Sequence, residues 1–194
     1  MTFAMTPHEA RPTRHGSPAP SPWMVRFAPL AAPGSRVLDL ACGDGRHARL
    51  FASRGASVVA VDRDAAAIES LAHVPQVATR VLDLEDDAWP LAGESFDVIV
   101  VANYLYRPRL AALVDLLAPD GLLLYETFAV GNEAFGRPSN PAFLLAPGEL
   151  LALCRERLDV VAFEQGHVHA ETGDAVVQRL AATGRQRNWP PSLL

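Results

Sequence analysis

Two glycines and an acid in the first third of the chain have the spacing of a nucleotide-binding turn. The segment 37–48, VLDLACGDGRHA, is an apolar run followed by a turn with Gly43 and Gly45, and a second apolar run ends at Asp62. Glycine allows such a turn to bend sharply and approach a ligand. An acid at the end of the second strand can accept two hydrogen bonds from ribose hydroxyls. The pattern predicts the first half of a βαβ unit that binds a nucleoside.

The same segment departs from the dinucleotide-binding pattern G-x-G-x-x-G. That pattern predicts a third glycine three residues after Gly45, where this chain has Ala48. Alanine is allowed there but fits less well, and the pattern does not explain Asp39 inside the first strand. A nicotinamide-dependent dehydrogenase is therefore the poorer alternative.

Helices and strands alternate along the rest of the chain. Predicted strands cover 36–40, 58–61, 77–82, 96–101, 122–127, 160–164 and 175–181, and predicted helices cover 46–54, 65–72, 109–117 and 147–157. Alternation with continuous apolar strands predicts an α/β fold, with a parallel sheet covered on both faces. No helix separates the last two strands, which predicts an antiparallel hairpin at one sheet edge. Asp64 is the expected N-cap of the second helix. Residues 119–121 (PDG) are expected to end the third, and Pro147 to lie in the first turn of the fourth.

Composition limits the class of protein. The chain has 194 residues, is 49% hydrophobic and carries a net charge of −5, with arginine as its only basic residue besides histidine. Its length predicts one domain at 21–194, preceded by a flexible proline-rich tail at 1–20. The acidic balance makes a nucleic-acid partner unfavourable. Two distant cysteines and the absence of a membrane-length apolar run or signal-like segment predict a cytoplasmic protein without a membrane partner.

The segments VLDLACGDGRHARLFA, VVAVDRD and SFDVIVVAN resemble, in this order, the motifs of class I S-adenosylmethionine (SAM)-dependent methyltransferases. The resemblance covers roughly residues 21–183. Within the superfamily the chain is similar to tellurite-resistance-type and related uncharacterised bacterial small-molecule methyltransferases, to which the block FGRPSNPAFLLAPGELLAL also points. The resemblance implies a Rossmann-like, seven-stranded, mostly parallel sheet with helices on both faces. It also implies SAM as cofactor, S-adenosylhomocysteine (SAH) as product, and methyl transfer to a small-molecule acceptor.

The resemblance further implies a cofactor site at the ends of the first four strands. Its residues are Asp39, Ala41, Gly43, Gly45, Asp62, Arg63, Asp83, Leu84 and Asn103. Asp39 is expected near the methionine ammonium, with capping of backbone N–H groups in the turn as the alternative. Asp62 is expected on the ribose. Asp83 is expected at the adenine amino group, or else in solvent.

No pattern selects a single catalytic residue on the acceptor side. Methyl transfer requires alignment of nucleophile, methyl and sulfur, and a general base is optional. The candidate catalytic residues are Asn103, Tyr104, Glu126, Arg137 and His47. Asn103 lacks the two following prolines of amino-directed relatives, which makes a planar amine a poor fit as acceptor. The long loop 128–145 predicts a lid or binding loop, with a covering loop as the alternative.

Residue types that bind metals occur in the link between the last two predicted strands. His167, His169, Glu171 and Asp174 lie close together there, without further ligands at helical spacing. The favoured interpretation is a solvated loop, and no metal is predicted.

Three functions remain open from the residues. The favoured one is a small-molecule methyltransferase, acting as a monomer or homodimer. The alternatives are an RNA or protein methyltransferase, and a non-catalytic SAM- or nucleoside-binding protein.

Overall fold

The computed structural model describes residues 19–169 and 173–192, so most of the predicted tail 1–20 lies outside the described residues. The seven strands are β1 (Arg36–Leu40), β2 (Ser57–Asp62), β3 (Val77–Val81), β4 (Phe96–Ala102), β5 (Leu117–Phe128), β6 (Leu158–Val168) and β7 (Ala175–Gly184). They form one sheet in the order β3-β2-β1-β4-β5-β7-β6. Strands β1 to β5 are parallel, whereas β7 is antiparallel to both β5 and β6. The predicted fold class and the C-terminal hairpin are confirmed.

Five helices cover the two faces of the sheet. They are α1 (Pro22–Phe27), α2 (Arg46–Ser53), α3 (Ala65–Glu69), α4 (Leu110–Asp115) and α5 (Glu149–Cys154). One core layer, which includes Met24 and Phe51, joins α1 and α2 to the sheet. The other, which includes Leu113 and Leu150, joins α4 and α5 to the opposite face. Asp64 caps α3 as predicted, accepting from the N–H groups of Ala66 and Ala67.

The predicted boundary between the third helix and the fifth strand is wrong. A 3-10 turn occupies Arg107–Arg109, α4 ends at Asp115, and β5 already begins at Leu117. Leu117 pairs with Phe96, whereas Val98 pairs with Leu122, so 118–121 form a bulge within the strand. The sequence PDG therefore lies within the bulge, and the strand already begins before it through the pairing of Leu117.

The predicted start of the last helix is also wrong. Gly148 has a φ of +72°, a left-handed conformation that is incompatible with a helix interior. The helix therefore begins at Glu149, and Pro147 precedes it instead of occupying its first turn. Glu156, with a φ of +62°, lies in the turn beyond Cys154, so the helix is also shorter than predicted at its C-terminal end.

The strand order creates a crevice between β1 and β4. From β1 the chain proceeds outward through β2 and β3, then returns to the opposite side of β1 as β4. Ligands of open α/β sheets bind beyond the carboxyl ends of the strands at such a reversal. None of the helices in the described ranges has the length and apolar character needed to cross a bilayer.

Candidate cofactor and acceptor site

The turn after β1 is built from left-handed backbone. Gly43 has a φ of +53° and Gly45 a φ of +72°. A Cβ on Gly45 would lie 2.4 Å from the Leu71 side chain, whereas a Cβ on Gly43 would meet nothing within 4 Å. A side chain at Gly45 would thus require the buried Leu71 side chain to shift, whereas Gly43 faces open space.

Two residues other than glycine share this conformation at the same place. Ala41, directly after β1, has a φ of +55°, and Asn103, directly after β4, has a φ of +56°. Asparagine tolerates this region, but alanine adopts it at a cost of about 1–2 kcal/mol. Strained residues of this kind cluster at ligand sites. This backbone conformation is imposed by the adjacent ends of β1 and β4, and the sequence alone does not indicate it.

Asp62 joins the turn after β1 to the end of β2. Its Oδ2 accepts from the N–H of Gly43 at 2.8 Å, and its Oδ1 accepts from the N–H of Asp64 at 3.0 Å. A carboxylate oxygen has two acceptor sites, so each oxygen retains capacity for a ribose hydroxyl. The carboxylate lies beside Gly43, where the crevice is open.

Asp39 is buried and holds the start of α2. Its Oδ2 accepts from the N–H of Ala48 at 2.7 Å, and burial raises the pKa of the Asp39 carboxyl to about 7. This contact resembles the capping alternative predicted from the sequence, but its donor lies in the first turn of α2 and not in the turn after β1. Ala48 occupies the position of the third glycine in the dinucleotide pattern, and its N–H is taken by a side chain instead.

His47 links α2 to the segment before α1. It is 2% exposed, and its Nε2 accepts from the backbone N–H of Ser21 at 3.1 Å. Burial lowers the pKa of the imidazole to about 3. On the far side, the indole N–H of Trp23 donates to the carbonyl of Leu180 in β7 at 3.2 Å. His47 thus acts as a neutral acceptor that positions α1 across the top of its sheet face.

The other residues predicted for the cofactor site follow β2 and β3. Arg63 and Asp83 are exposed, and Leu84 is buried in the core. The Oδ1 of Asp83 accepts from the N–H of Glu85 at 2.9 Å. Asp83 therefore stabilises its own turn through one oxygen.

Glu126 and Asn103 meet on the acceptor side. The N–H of Asn103 donates to the carbonyl of Glu126 at 2.9 Å. The Glu126 side chain is buried, and its Oε2 accepts from Nε of Arg179 at 2.5 Å. Arg179 also donates to Oε2 of Glu164 at 3.4 Å. Arg179 was missed by sequence reasoning, because only the insertion of β7 beside β5 brings it to Glu126.

The two tyrosines after β4 lie on the other face of the sheet. Tyr104 is buried and Tyr106 packs against the same core layer as Leu113 in α4. The backbone carbonyl of Tyr104 accepts from the hydroxyl of Tyr125 at 2.9 Å. Strand alternation puts Glu126 on the face opposite Tyr125. Tyr104 is therefore separated from the Glu126 side chain by the sheet.

Loop 128–145 is held along both of its edges. The N–H of Leu145 donates to the carbonyl of Phe128 at 3.0 Å, and the N–H of Val176 donates to Oδ1 of Asn132 at 3.1 Å. Near the end of the loop, the guanidinium of Arg107 donates to the carbonyls of Ala142 and Leu144, at 2.7 and 2.6 Å. These contacts are those of a covering loop. Arg137, a candidate catalytic residue in this loop, is exposed.

Known proteins with similar sequences are methyltransferases. A family described as a methyltransferase domain matches residues 37–121. The ubiquinone biosynthesis O-methyltransferase of Paracidovorax citrulli is 31% identical, with alignment over 79% of this chain and 72% of that protein. The tRNA U34 carboxymethyltransferase of Methylococcus capsulatus is 34% identical over 118 residues, which cover 56% of this chain and 36% of that protein.

The fold is shared with solved structures as well. TehB from Haemophilus influenzae aligns with a TM-score of 0.67 and 21% identity, over 84% of this chain and 61% of TehB. At this identity the similarity concerns the fold alone. The chain spans 36% and 49% of the length of the first two curated relatives it matches, which is half or less.

Proposed function

We infer that this chain transfers a methyl group from SAM to a small-molecule acceptor. The chain belongs to the class I SAM-dependent methyltransferases, and the inference starts from that membership. The single observation that carries this inference is the link between Asp62 and Gly43 at 2.8 Å, beside the open crevice at the β1–β4 reversal. The geometry combines a hydrogen-bonding carboxylate with a backbone that a ligand can approach closely.

The residues present fit the cofactor of this family. A side chain at Gly43 would project into open space, which is where a nucleoside would contact the turn. Asp62 would hold the ribose, and Asp83 and Leu84 would border the adenine. Asp39, whose pKa is raised to about 7 by burial, would lie beneath the methionine part, where the positive charge of that part would favour the ionised carboxylate. When bound, SAM supplies a methyl group on a positively charged sulfur with a neutral leaving group.

On the acceptor side, the chain's own residues supply orientation and shielding from water. Asn103, which has a left-handed backbone, projects from the end of β4 and is fixed by the carbonyl of Glu126. The ion pair between Glu126 and Arg179 forms a charged wall on the same face as α1. Alignment of the reacting atoms is the main catalytic requirement of such a displacement. A polar or anionic group of the acceptor would contact the Arg179 side chain of this ion pair.

Two observations support a small acceptor over RNA. The net charge of −5 is unfavourable for binding a phosphate backbone. The ubiquinone biosynthesis relative is matched over 72% of its length, whereas the tRNA-modifying relative is matched over 36%.

The test is methyl transfer into fractionated extracts of the source cells. Purified protein is incubated with SAM that carries a labelled methyl group, together with a low-molecular-weight filtrate, an RNA fraction or a protein fraction. We expect label in the filtrate, with release of SAH, and much less label with Asp62→Ala at the same SAM concentration. The Asp64→Asn variant is the matched control, because this neighbouring acid caps α3 instead.

Label confined to RNA or to protein would refute the small-molecule assignment. Binding of SAM in calorimetry without label in any fraction would refute turnover and favour a non-catalytic binding protein. Binding of NAD in place of SAM would overturn the cofactor site itself.

A further inference from the structure

We propose that His167, His169 and Asp174 form a binding site for a divalent transition metal of the Zn²⁺ type at the end of the β6–β7 hairpin. Within 19–169 and 173–192, they are the one set of three His, Cys, Asp or Glu side chains whose ligand atoms all lie within 4.8 Å of one another. The site is independent of the proposed methyl transfer. It revises the interpretation of this segment as a solvated loop.

The hairpin register explains why these side chains meet. His167 pairs with Val176, and Val168 pairs with Ala175, so His169 and Asp174 are the next residues outward. Residues two apart in a strand project from the same face, which puts both imidazoles on one side. Cross-strand neighbours have Cβ atoms about 4.5–5.5 Å apart. A His-x-His sequence opposite an acid therefore converges as a direct result of strand pairing.

The observed distances are close to those of a shared metal. Nδ1 of His169 lies 3.0 Å from Oδ1 of Asp174, and Nε2 of His167 lies 3.2 Å from its Oδ2. Ligands at about 2.0–2.1 Å from a tetrahedral Zn²⁺ are about 3.3 Å apart. Both separations are hydrogen-bond distances between histidine and aspartate, and they are 0.1–0.3 Å shorter than this value. The three side chains are exposed, so rotations about their side-chain bonds can complete the coordination.

The surroundings hold one ligand in place. The ring of Phe135, from loop 128–145, stacks on His167 with centroids 4.4 Å apart and planes inclined by 14°. His167 and His169 are themselves in edge contact, with centroids 4.4 Å apart. Stacking restricts rotation of the imidazole and reduces the entropy lost on binding. The site thereby also connects the hairpin to loop 128–145.

The ligand set selects the class of metal. Two imidazole nitrogens and one carboxylate suit Zn²⁺, Co²⁺ or Ni²⁺, whereas Mg²⁺ and Ca²⁺ require oxygen ligands. Three protein ligands leave a fourth tetrahedral position for water or another ligand. Metal binding would fix the two hairpin strands to each other and stabilise this end of the sheet.

The experiment is metal titration of the full chain after removal of bound metals by a chelator. We expect one Zn²⁺ per chain by calorimetry and a visible absorption spectrum of tetrahedral Co²⁺. His169→Ala and Asp174→Asn are expected to weaken Zn²⁺ binding at least about tenfold. His73→Ala, which removes an exposed histidine from the other end of the sheet, is the matched control. All proteins carry His8→Gln and His15→Gln, so that these two histidines cannot contribute metal ligands.

Thermal unfolding completes the test. Zn²⁺ is expected to raise the melting temperature of the parent and of His73→Ala, but not of the two ligand variants, and Mg²⁺ is expected to have no effect. Melting without metal shows that each variant is folded. The proposal is overturned if the parent shows no saturable Zn²⁺ binding, or if the ligand variants bind as tightly as the parent.

Discussion

Replacing His47 by glutamine should make the protein relatively more stable in mild acid. The imidazole is buried and its pKa is lowered to about 3, from 6.5 for an ordinary histidine. Between these values the unfolded chain binds a proton that the folded chain does not. Acid therefore favours unfolding, and the stability of the folded state falls as pH decreases from 6.5 toward 3. Glutamine removes this titration and keeps an oxygen that can accept from Ser21.

The expected size follows from proton linkage. At about pH 5 the histidine of the unfolded chain is mostly protonated. The free energy of unfolding is therefore about 2 kcal/mol lower than at about pH 8. This difference is set by the unfolded pKa, because a folded pKa near 3 leaves His47 neutral at both pH values. Asp39 acts with the opposite sign. Its pKa is raised to about 7, so its stabilising contribution is complete below 3.8 and is lost as pH rises through 7. Both proteins retain Asp39, so its contribution cancels in their difference.

Urea unfolding of the parent and of His47→Gln at both pH values measures this difference. Between about pH 8 and about pH 5, the free energy of unfolding of the variant is expected to rise by about 2 kcal/mol relative to that of the parent. Any packing loss caused by the substitution is present at both pH values and is subtracted. An unchanged difference between the two proteins would show that His47 titrates in the folded state, contrary to its burial against Ser21.

Three further substitutions test the site. Asp62→Ala should weaken SAM binding in calorimetry by about 1–3 kcal/mol, because it removes hydrogen bonds to the ribose. Gly43→Val should abolish SAM binding in the same assay, because its side chain would fill the open space beside the turn and its φ of +53° disfavours a branched residue. Arg179→Met should lower the free energy of urea unfolding by about 2–4 kcal/mol, because it leaves the buried carboxylate of Glu126 unpaired.

Each of these substitutions has its own control. Asp64→Asn should leave SAM affinity unchanged, and an equal loss there would remove Asp62 from the cofactor site. Gly43→Val should keep a cooperative melting transition, and intact SAM binding would show that the turn does not contact the cofactor. Glu126→Gln in the Arg179→Met background should recover most of the lost stability, and no recovery would mean that the ion pair is not the cause.

The parts of the fold that the sequence predicts are those with local signals. The apolar runs at β1, β2 and β4 lie between recognisable turns, and their predicted ranges match the observed strands within one residue at each end. The Asp64 cap and the glycine turn likewise depend on neighbours in sequence. The sequence has no helical segment between β6 and β7, and this feature correctly predicts the hairpin.

The parts that could not be predicted depend on contacts between distant residues. The early start of β5 comes from pairing of Leu117 with Phe96, and the ion pair of Glu126 depends on β7 lying next to β5. The strain at Ala41 depends on the adjacent strand ends. The neutral state of His47 depends on its burial, and its hydrogen-bond partner Ser21 lies 26 residues away in sequence.

The position of β7 has a consequence for synthesis on the ribosome. This strand lies between β5 and β6 and pairs with both, yet it is the last of the seven to be made. Until the chain has been synthesised through Gly184, the hydrogen-bonding edges of two apolar strands lack their native partner. Unprotected edges of this kind promote association between chains. Nascent or truncated forms that stop before Ala175 should therefore depend on chaperones to stay in solution.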